Sequence, residues 1–278
     1  MNEPGARPAN PEAWFDREPE ARRLHAVFRQ RESLVISGLA GAGKTALVAK
    51  VLSELPEDVA RSTFYVSGID GLQPLLRALL RELYEVDDPP LRRQLHAEGI
   101  RNETFKAWLR SLPTSRLKGT LYRSAESGRY WVIVDHIPPP THAVAKVLKE
   151  LARMRNTPVY LLARGQSQAE VGHVTDLYWG DKHRLSLGPL PEPAARALLE
   201  SCIRRFGLVR LDLEGFREEV LRLSRQIPGT LIKMCALAAE PRYQYGARIK
   251  TKLVHIDCLM SRHDVLPVSR TLAGHQRP

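Results

Sequence analysis

Residues Ser37 to Leu47 read SGLAGAGKTAL, and within them Gly38, Gly43, Lys44 and Thr45 meet the spacing G-x-x-x-x-G-K-T. That pattern, flanked by a strand and a helix, describes a turn that cradles phosphate. Glycines let the backbone turn tightly and approach an anion. The amides of Gly41, Ala42, Gly43, Lys44, Thr45 and Ala46, at a helix start, then supply aligned donors and partial positive charge. Lys44 is expected to neutralise the β and γ phosphates, and the Thr45 hydroxyl to ligate Mg²⁺ that bridges phosphate oxygens. The expected ligands are therefore ATP or ADP with Mg²⁺. A carboxylate at the tip of a neighbouring buried strand would complete the metal site. Asp135, directly after Trp131-Val132-Ile133-Val134, meets that need. The next residue is His136 rather than a second acid, so binding is better specified than hydrolysis.

The elements that must hold these residues are legible from hydrophobic periodicity. A helix is expected over Pro19 to Arg29, with Leu24, Val27 and Phe28 on one face, followed by a strand over Leu34 to Ser37. After the glycine-rich turn, Leu47, Val48, Val51, Leu52 and Leu55 recur at helical spacing until Pro56. Thr63 to Val66 reads as a strand, and Leu75, Leu76, Leu79, Leu80 and Leu83 form the stripe of the next helix. Short helices are expected over Glu103 to Leu112 and near Arg116 to Ser124. Trp131 to Val134 and Val159 to Ala163 are continuous apolar runs, the mark of strands covered on both faces, and they end at Asp135 and Arg164. Thr141 caps a helix between them, and Arg184 to Leu187 is a last strand. Strands alternating with amphipathic helices imply an α/β fold with a parallel sheet. From Pro191 onward only helices are expected, on Leu198, Leu199, Cys202, Ile203 and Phe206, then Phe216, Val220 and Leu221, then Leu231, Met234 and Leu237.

Composition bounds the function classes. A chain of 278 residues with a 43% hydrophobic fraction can build a sizeable core, which excludes general disorder. No apolar run approaches the roughly 18 residues of a membrane span. Met1 to Pro11 lacks the basic flank and apolar stretch of a secretion signal, so a cytoplasmic location and no membrane partner are expected. Cys202, Cys235 and Cys258 are odd in number and lack C-x-x-C spacing, which favours buried thiols over a disulfide framework or a zinc site. The net charge of +11 is concentrated: residues 91–129 carry nine basic and three acidic residues, and residues 241–278 seven and two. These segments hold the whole excess and could face an acidic partner, nucleic acid above all.

With these residues placed, the chain from Trp14 to Met260 resembles the STAND and AAA-type branch of P-loop ATPases. Phe15-Asp16-Arg17-Glu18-Pro19-Glu20 looks like the family's F-x-R-E-x-E box, which implies that Arg17 helps line the adenine pocket; the glycine usual before that arginine is Asp16 here. Arg164 matches the sensor position that reads the γ-phosphate. Leu187-Gly188-Pro189-Leu190 resembles the boundary between ATPase core and helical lid, and Gln226-Ile227-Pro228 the lid's G-x-P turn, whose proline packs on adenine. Gln226 departs from that glycine. His263-Asp264 is similar to an M-H-D sensor, but it follows Pro228 too closely for the intervening winged helix.

The resemblance implies a three-layer P-loop NTPase fold with a small all-helical lid: a flexible N-terminus at 1–13, a core at 14–189, a lid at 190–260 and a basic tail at 261–278. It further implies a nucleotide-dependent switch in which Mg²⁺·ATP binds between sheet and lid, with Lys44, Asp135 and Arg164 acting on the phosphates and slow turnover. A nucleotide-dependent homo-oligomer or protein partner is compatible with this. The alternative is a DNA-handling helper ATPase of the transposition or replication type, using the basic segments.

Overall fold

Five strands, well separated along the chain, join one parallel sheet. The computed structural model describes residues 16–68, 70–137, 140–165 and 183–260. The expected N-terminal and C-terminal segments at 1–13 and 261–278, Phe15, the His263-Asp264 pair and the side chain of His136 lie outside the described residues. The chain divides into two compact units that meet in sequence at Pro189 and Leu190.

In the first unit the strands are β1 (Leu34–Gly38), β2 (Thr63–Ser67), β3 (Trp131–Ile137), β4 (Val159–Arg164) and β5 (Arg184–Leu187), in the order β2-β3-β4-β1-β5. Every pairing is parallel. The chain leaves β1 for the far edge and returns past it to β5. The carboxyl end of β1 therefore lies between strands reached from opposite directions, the place where open parallel sheets bind ligands.

The two-residue period of each strand sorts its side chains between two helix layers. Leu34 and Ile36 of β1, Trp131 and Ile133 of β3, and Tyr160 and Leu162 of β4 share a core with α1 (Glu18–Gln30) and α2 (Lys44–Glu54). Their neighbours Val35, Val132, Val134, Val159 and Leu161 face the opposite way. There they pack with α4 (Leu72–Glu85), α5 (Pro89–Ala97), α6 (Asn102–Ser111), α7 (Thr114–Ser127) and α8 (His142–Arg153). A short α3 (Glu57–Arg61) precedes β2. Burial on both faces explains the unbroken apolar runs of β3 and β4.

This unit departs from the sequence reading in two places. No helix was expected over Pro89 to Ala97, yet Pro89 and Pro90 occupy the first turn of α5, where a missing N–H costs nothing, and the Asp88 side chain accepts from Leu91 N at 2.8 Å as the cap. Asp88 is fully buried and also accepts from Ser124 Oγ at 2.6 Å and from the Tyr130 hydroxyl, so one carboxylate ties α5 and α7 to the start of β3. Nor does β3 end at Asp135. It runs to Ile137, with a register shift against β4 between Val134 and Ile137, while its pairing with β2 stays regular as far as Ser67 opposite Asp135. The extra residue on β3 is a bulge, a device that re-aims side chains at a strand end.

The second unit contains α9 (Glu192–Arg205), α10 (Phe216–Ser224), α11 (Pro228–Ala238) and α12 (Thr251–Met260). One small hairpin, β6 (Gln244–Tyr245) against β7 (Arg248–Ile249), interrupts the helices and was not expected. Two-residue strands are too short to show alternation. The three cysteines are buried here. Among the described residues no helix is long and apolar enough to cross a membrane.

Candidate nucleotide-binding site

The site begins where β1 gives way to α2. Gly38, Gly41 and Gly43 all have positive φ, at 157°, 81° and 96°. At Gly38 the constraint is also one of space: a Cβ would lie 2.6 Å from the Leu187 carbonyl oxygen of β5. Gly43 is the left-handed N-cap residue of α2 and carries no side-chain cap. The helix entrance, with Gly41 to Ala46 around it, is thus left open for an outside acceptor.

Lys44 is buried in this arrangement, 7% exposed. Its Nζ donates to the carbonyl oxygens of Gly38 and Leu39 at 2.8 and 2.9 Å. Burial pushes its pKa down from 10.5 to about 8; Asp135 acts in the opposite direction, and the positive charge of Arg164 reinforces the fall. An ammonium held under such conditions gains from a phosphate, which would restore the charge compensation that burial removes. Next to it, the Thr45 hydroxyl donates to Asp135 Oδ2 at 2.6 Å. Asp135 is 2% exposed and lies on the α2 side of β3, because it continues the parity of Trp131 and Ile133.

Arg164 ends β4 directly opposite Gly38, in register with the first residue of the turn, and its side chain is exposed. The fold therefore brings together the glycine-rich turn, Lys44, Thr45, Asp135 and Arg164. Arg17, 8% exposed, donates to Glu20 Oε1 at 2.9 Å and to the Gly188 carbonyl at 2.5 Å, fastening the start of α1 to the segment after β5. Pro228 opens α11 in the second unit. Asp16 and Gln226, where the sequence lacks the glycines the resemblance would place, have φ of 41° and 58°, both in the left-handed region.

One residue at the site escaped the sequence reading. The Tyr65 hydroxyl, on β2, donates to Asp135 Oδ2 at 2.5 Å and is buried. In sequence Tyr65 is one more apolar strand position; only the pairing of β2 with β3 brings it to Asp135.

The donor set suits a hard cation. Among the described residues no three His, Cys, Asp or Glu side chains gather as a metal cage. Mg²⁺ needs none, since it keeps several waters and binds through one or two protein oxygens plus substrate phosphates. The Thr45 hydroxyl and the Asp135 carboxylate, side by side at the helix entrance, are oxygens that could hold it.

Solved structures share this architecture. A Walker-type ATPase of Pyrococcus abyssi is 19% identical with a TM-score of 0.57, over 94% of this chain and 77% of that one. The Orc1 protein of Aeropyrum pernix, solved in complex with DNA, is 18% identical with a TM-score of 0.53, over 90% of this chain and 66% of that one. Cdc6p from Pyrobaculum aerophilum is 11% identical with a TM-score of 0.57, over 84% of this chain and 64% of that one. The chain thus spans somewhat under two thirds of the length of the latter two. No curated protein matches it in sequence. The family model for the AAA ATPase domain matches residues 13–163, which include the glycine-rich turn, Asp135 and all of β4 but its last residue. On that match, and with the sheet order and phosphate turn described above, the chain belongs to the AAA ATPase domain family, as an AAA-type P-loop ATPase.

Proposed function

We propose that the chain is a nucleotide-dependent molecular switch of the STAND/AAA kind, in which Mg²⁺·ATP at the glycine-rich turn favours one arrangement and slow hydrolysis resets it. The observation that supports this most is the convergence on one loop end of Lys44, Thr45 and Asp135, with Arg164 opposite Gly38. Bound there, Mg²⁺ would neutralise phosphate charge and orient the nucleotide. The chain's own residues would do the remainder: backbone amides of Gly41 to Ala46 would hold the phosphates, Lys44 would offset their charge, Thr45 and Asp135 would hold the metal, and Arg164 would read the γ-phosphate. Roles for Arg17 and Pro228 at the adenine rest on the family resemblance, as do the boundaries of a core at 14–189 and a lid at 190–260.

Slow turnover follows from His136 standing where a water-polarising carboxylate would serve. Asp135→Asn should abolish metal-dependent hydrolysis, and His136→Glu should leave the rate unchanged or raise it. A wild-type rate at the upper end of roughly 1 to 1,000 turnovers per second would overturn this reading.

A second reading, a DNA-handling helper ATPase, draws on the basic residues of the insert between β2 and β3 and on a structural neighbour solved with DNA. The insert's charge is partly committed internally: Arg92 pairs with Asp87 and lies over the Tyr84 ring at 4.3 Å, and Arg116 pairs with Glu98 at 2.6 Å. Arg93, Arg101, Lys106 and Arg110 are exposed. Sizing the protein with and without Mg²⁺·ATP, in the presence and absence of DNA, separates the two readings. Nucleotide-driven assembly without DNA supports the switch; assembly only on DNA supports the helper.

A further inference from the structure

Tyr65 is not explained by packing. Its ring shares the core beneath α2 with Ile133 and Leu47, where phenylalanine would fill the same space without a polar atom to satisfy. A buried phenol is worth its desolvation only when its hydroxyl finds an acceptor, and here that acceptor is Asp135 Oδ2. The same oxygen accepts from Thr45, so its two lone pairs are matched by two donors from different elements, β2 and α2. The need for a second anchor is visible in the backbone. Against β4, the ladder shifts register between Val134 and Ile137, so regular pairing on that side is interrupted at Asp135. Against β2, pairing is regular through Asp135, and Gly68 N donates to its carbonyl oxygen at 3.2 Å. Tyr65 reaches across from that ordered side: its partner in register is Ile133, and Asp135 lies two residues further along on the same face.

We propose that Tyr65 is a positioning residue for the metal, holding Asp135 Oδ2 jointly with Thr45 so that the carboxylate presents a fixed orientation to Mg²⁺ bound with nucleotide. The inference rests on the reading that Thr45 and Asp135 form the metal site. Partners that orient a metal-directed ligand are worth ten- to a hundredfold in metal affinity.

The test is calorimetric titration of ADP into wild type and Tyr65→Phe, each in Mg²⁺ and in EDTA, with thermal unfolding as the check on folding. Wild type should bind more tightly in Mg²⁺. Tyr65→Phe should keep the EDTA affinity within about twofold and lose about ten- to a hundredfold of the Mg²⁺-dependent gain. Full retention of the gain overturns the positioning role while leaving the metal site intact, and an equal loss in both buffers overturns it in favour of a structural role. Absence of any gain in wild type overturns the metal site itself and this inference with it. If Tyr65→Phe does not fold, 3-fluorotyrosine placed at position 65 alone keeps the hydroxyl. Its fluorine resonance should then move when Mg²⁺ joins the ADP-bound protein, and a stationary resonance overturns the proposal.

Discussion

Replacing Lys44 with alanine separates what this side chain does for nucleotide from what it does for the fold. In the ligand-free arrangement the fall of its pKa from 10.5 to about 8 corresponds to about 3 kcal/mol of disfavour for the ammonium. Its two hydrogen bonds to the Gly38 and Leu39 carbonyls return about 1.5 to 3 kcal/mol each. These contributions partly offset, so the ligand-free variant should be destabilised by no more than about 3 kcal/mol. Nucleotide binding has no such compensation. Loss of one charge-assisted phosphate contact, about 1.5 to 3 kcal/mol, weakens affinity by roughly ten- to a hundredfold. At a ligand concentration a hundred times the wild-type Kd, wild type gains about 2.7 kcal/mol from binding and the variant only about 0.4 to 1.4. For a chain of this size that is a rise in Tm of about 5 to 11 °C against about 1 to 6 °C. Thermal unfolding across a series of Mg²⁺·ADP concentrations, with calorimetry for the Kd, reads both quantities. Equal affinity in the two proteins would refute the reasoning, and so would a variant that unfolds without ligand.

The other predictions concern the frame around the site and the charge on its insert. Gly38→Ala drives a Cβ to 2.6 Å from the backbone oxygen of Leu187, an atom that a side-chain rotation cannot move; a loss of about 1 to 3 kcal/mol in denaturant unfolding is expected, and an unchanged midpoint would show that β5 yields freely. Asp88→Ala leaves Leu91 N, Ser124 Oγ and the Tyr130 hydroxyl without their acceptor in a buried setting, so stability should fall by about 3 kcal/mol or more while the site residues keep their places. A loss below about 1 kcal/mol would show that water or a neighbouring group takes over. If the basic segments meet nucleic acid, reversing the exposed Arg93, Lys106 and Arg248 to glutamate should flatten the dependence of log affinity on log salt, each lost duplex phosphate contact removing a slope of about 0.9, with ATP binding unchanged. Arg92 is left out of that set because its pairing with Asp87 and stacking on Tyr84 belong to the fold.

The phosphate turn, the buried strands and the helical second unit were legible in the sequence because each is a short-range matter: a few residues of fixed spacing, a two-residue or 3.6-residue period, a cap, a proline. The same locality carried Asp135 to the correct face of β3, since parity with Trp131 and Ile133 is a property of the strand alone. What the sequence could not supply is whatever depends on which strands lie side by side. Tyr65 and Asp135 are seventy residues apart and meet because β2 pairs with β3. Arg17 finds the Gly188 carbonyl across 171 residues, and Asp88 finds Tyr130 across 42. The β3 bulge likewise arises from register against β4 and leaves no trace in the apolar run that precedes it. Those contacts are set by sheet order and helix packing, so a buried hydroxyl or carboxylate reveals its partner only once the tertiary structure has chosen its neighbours.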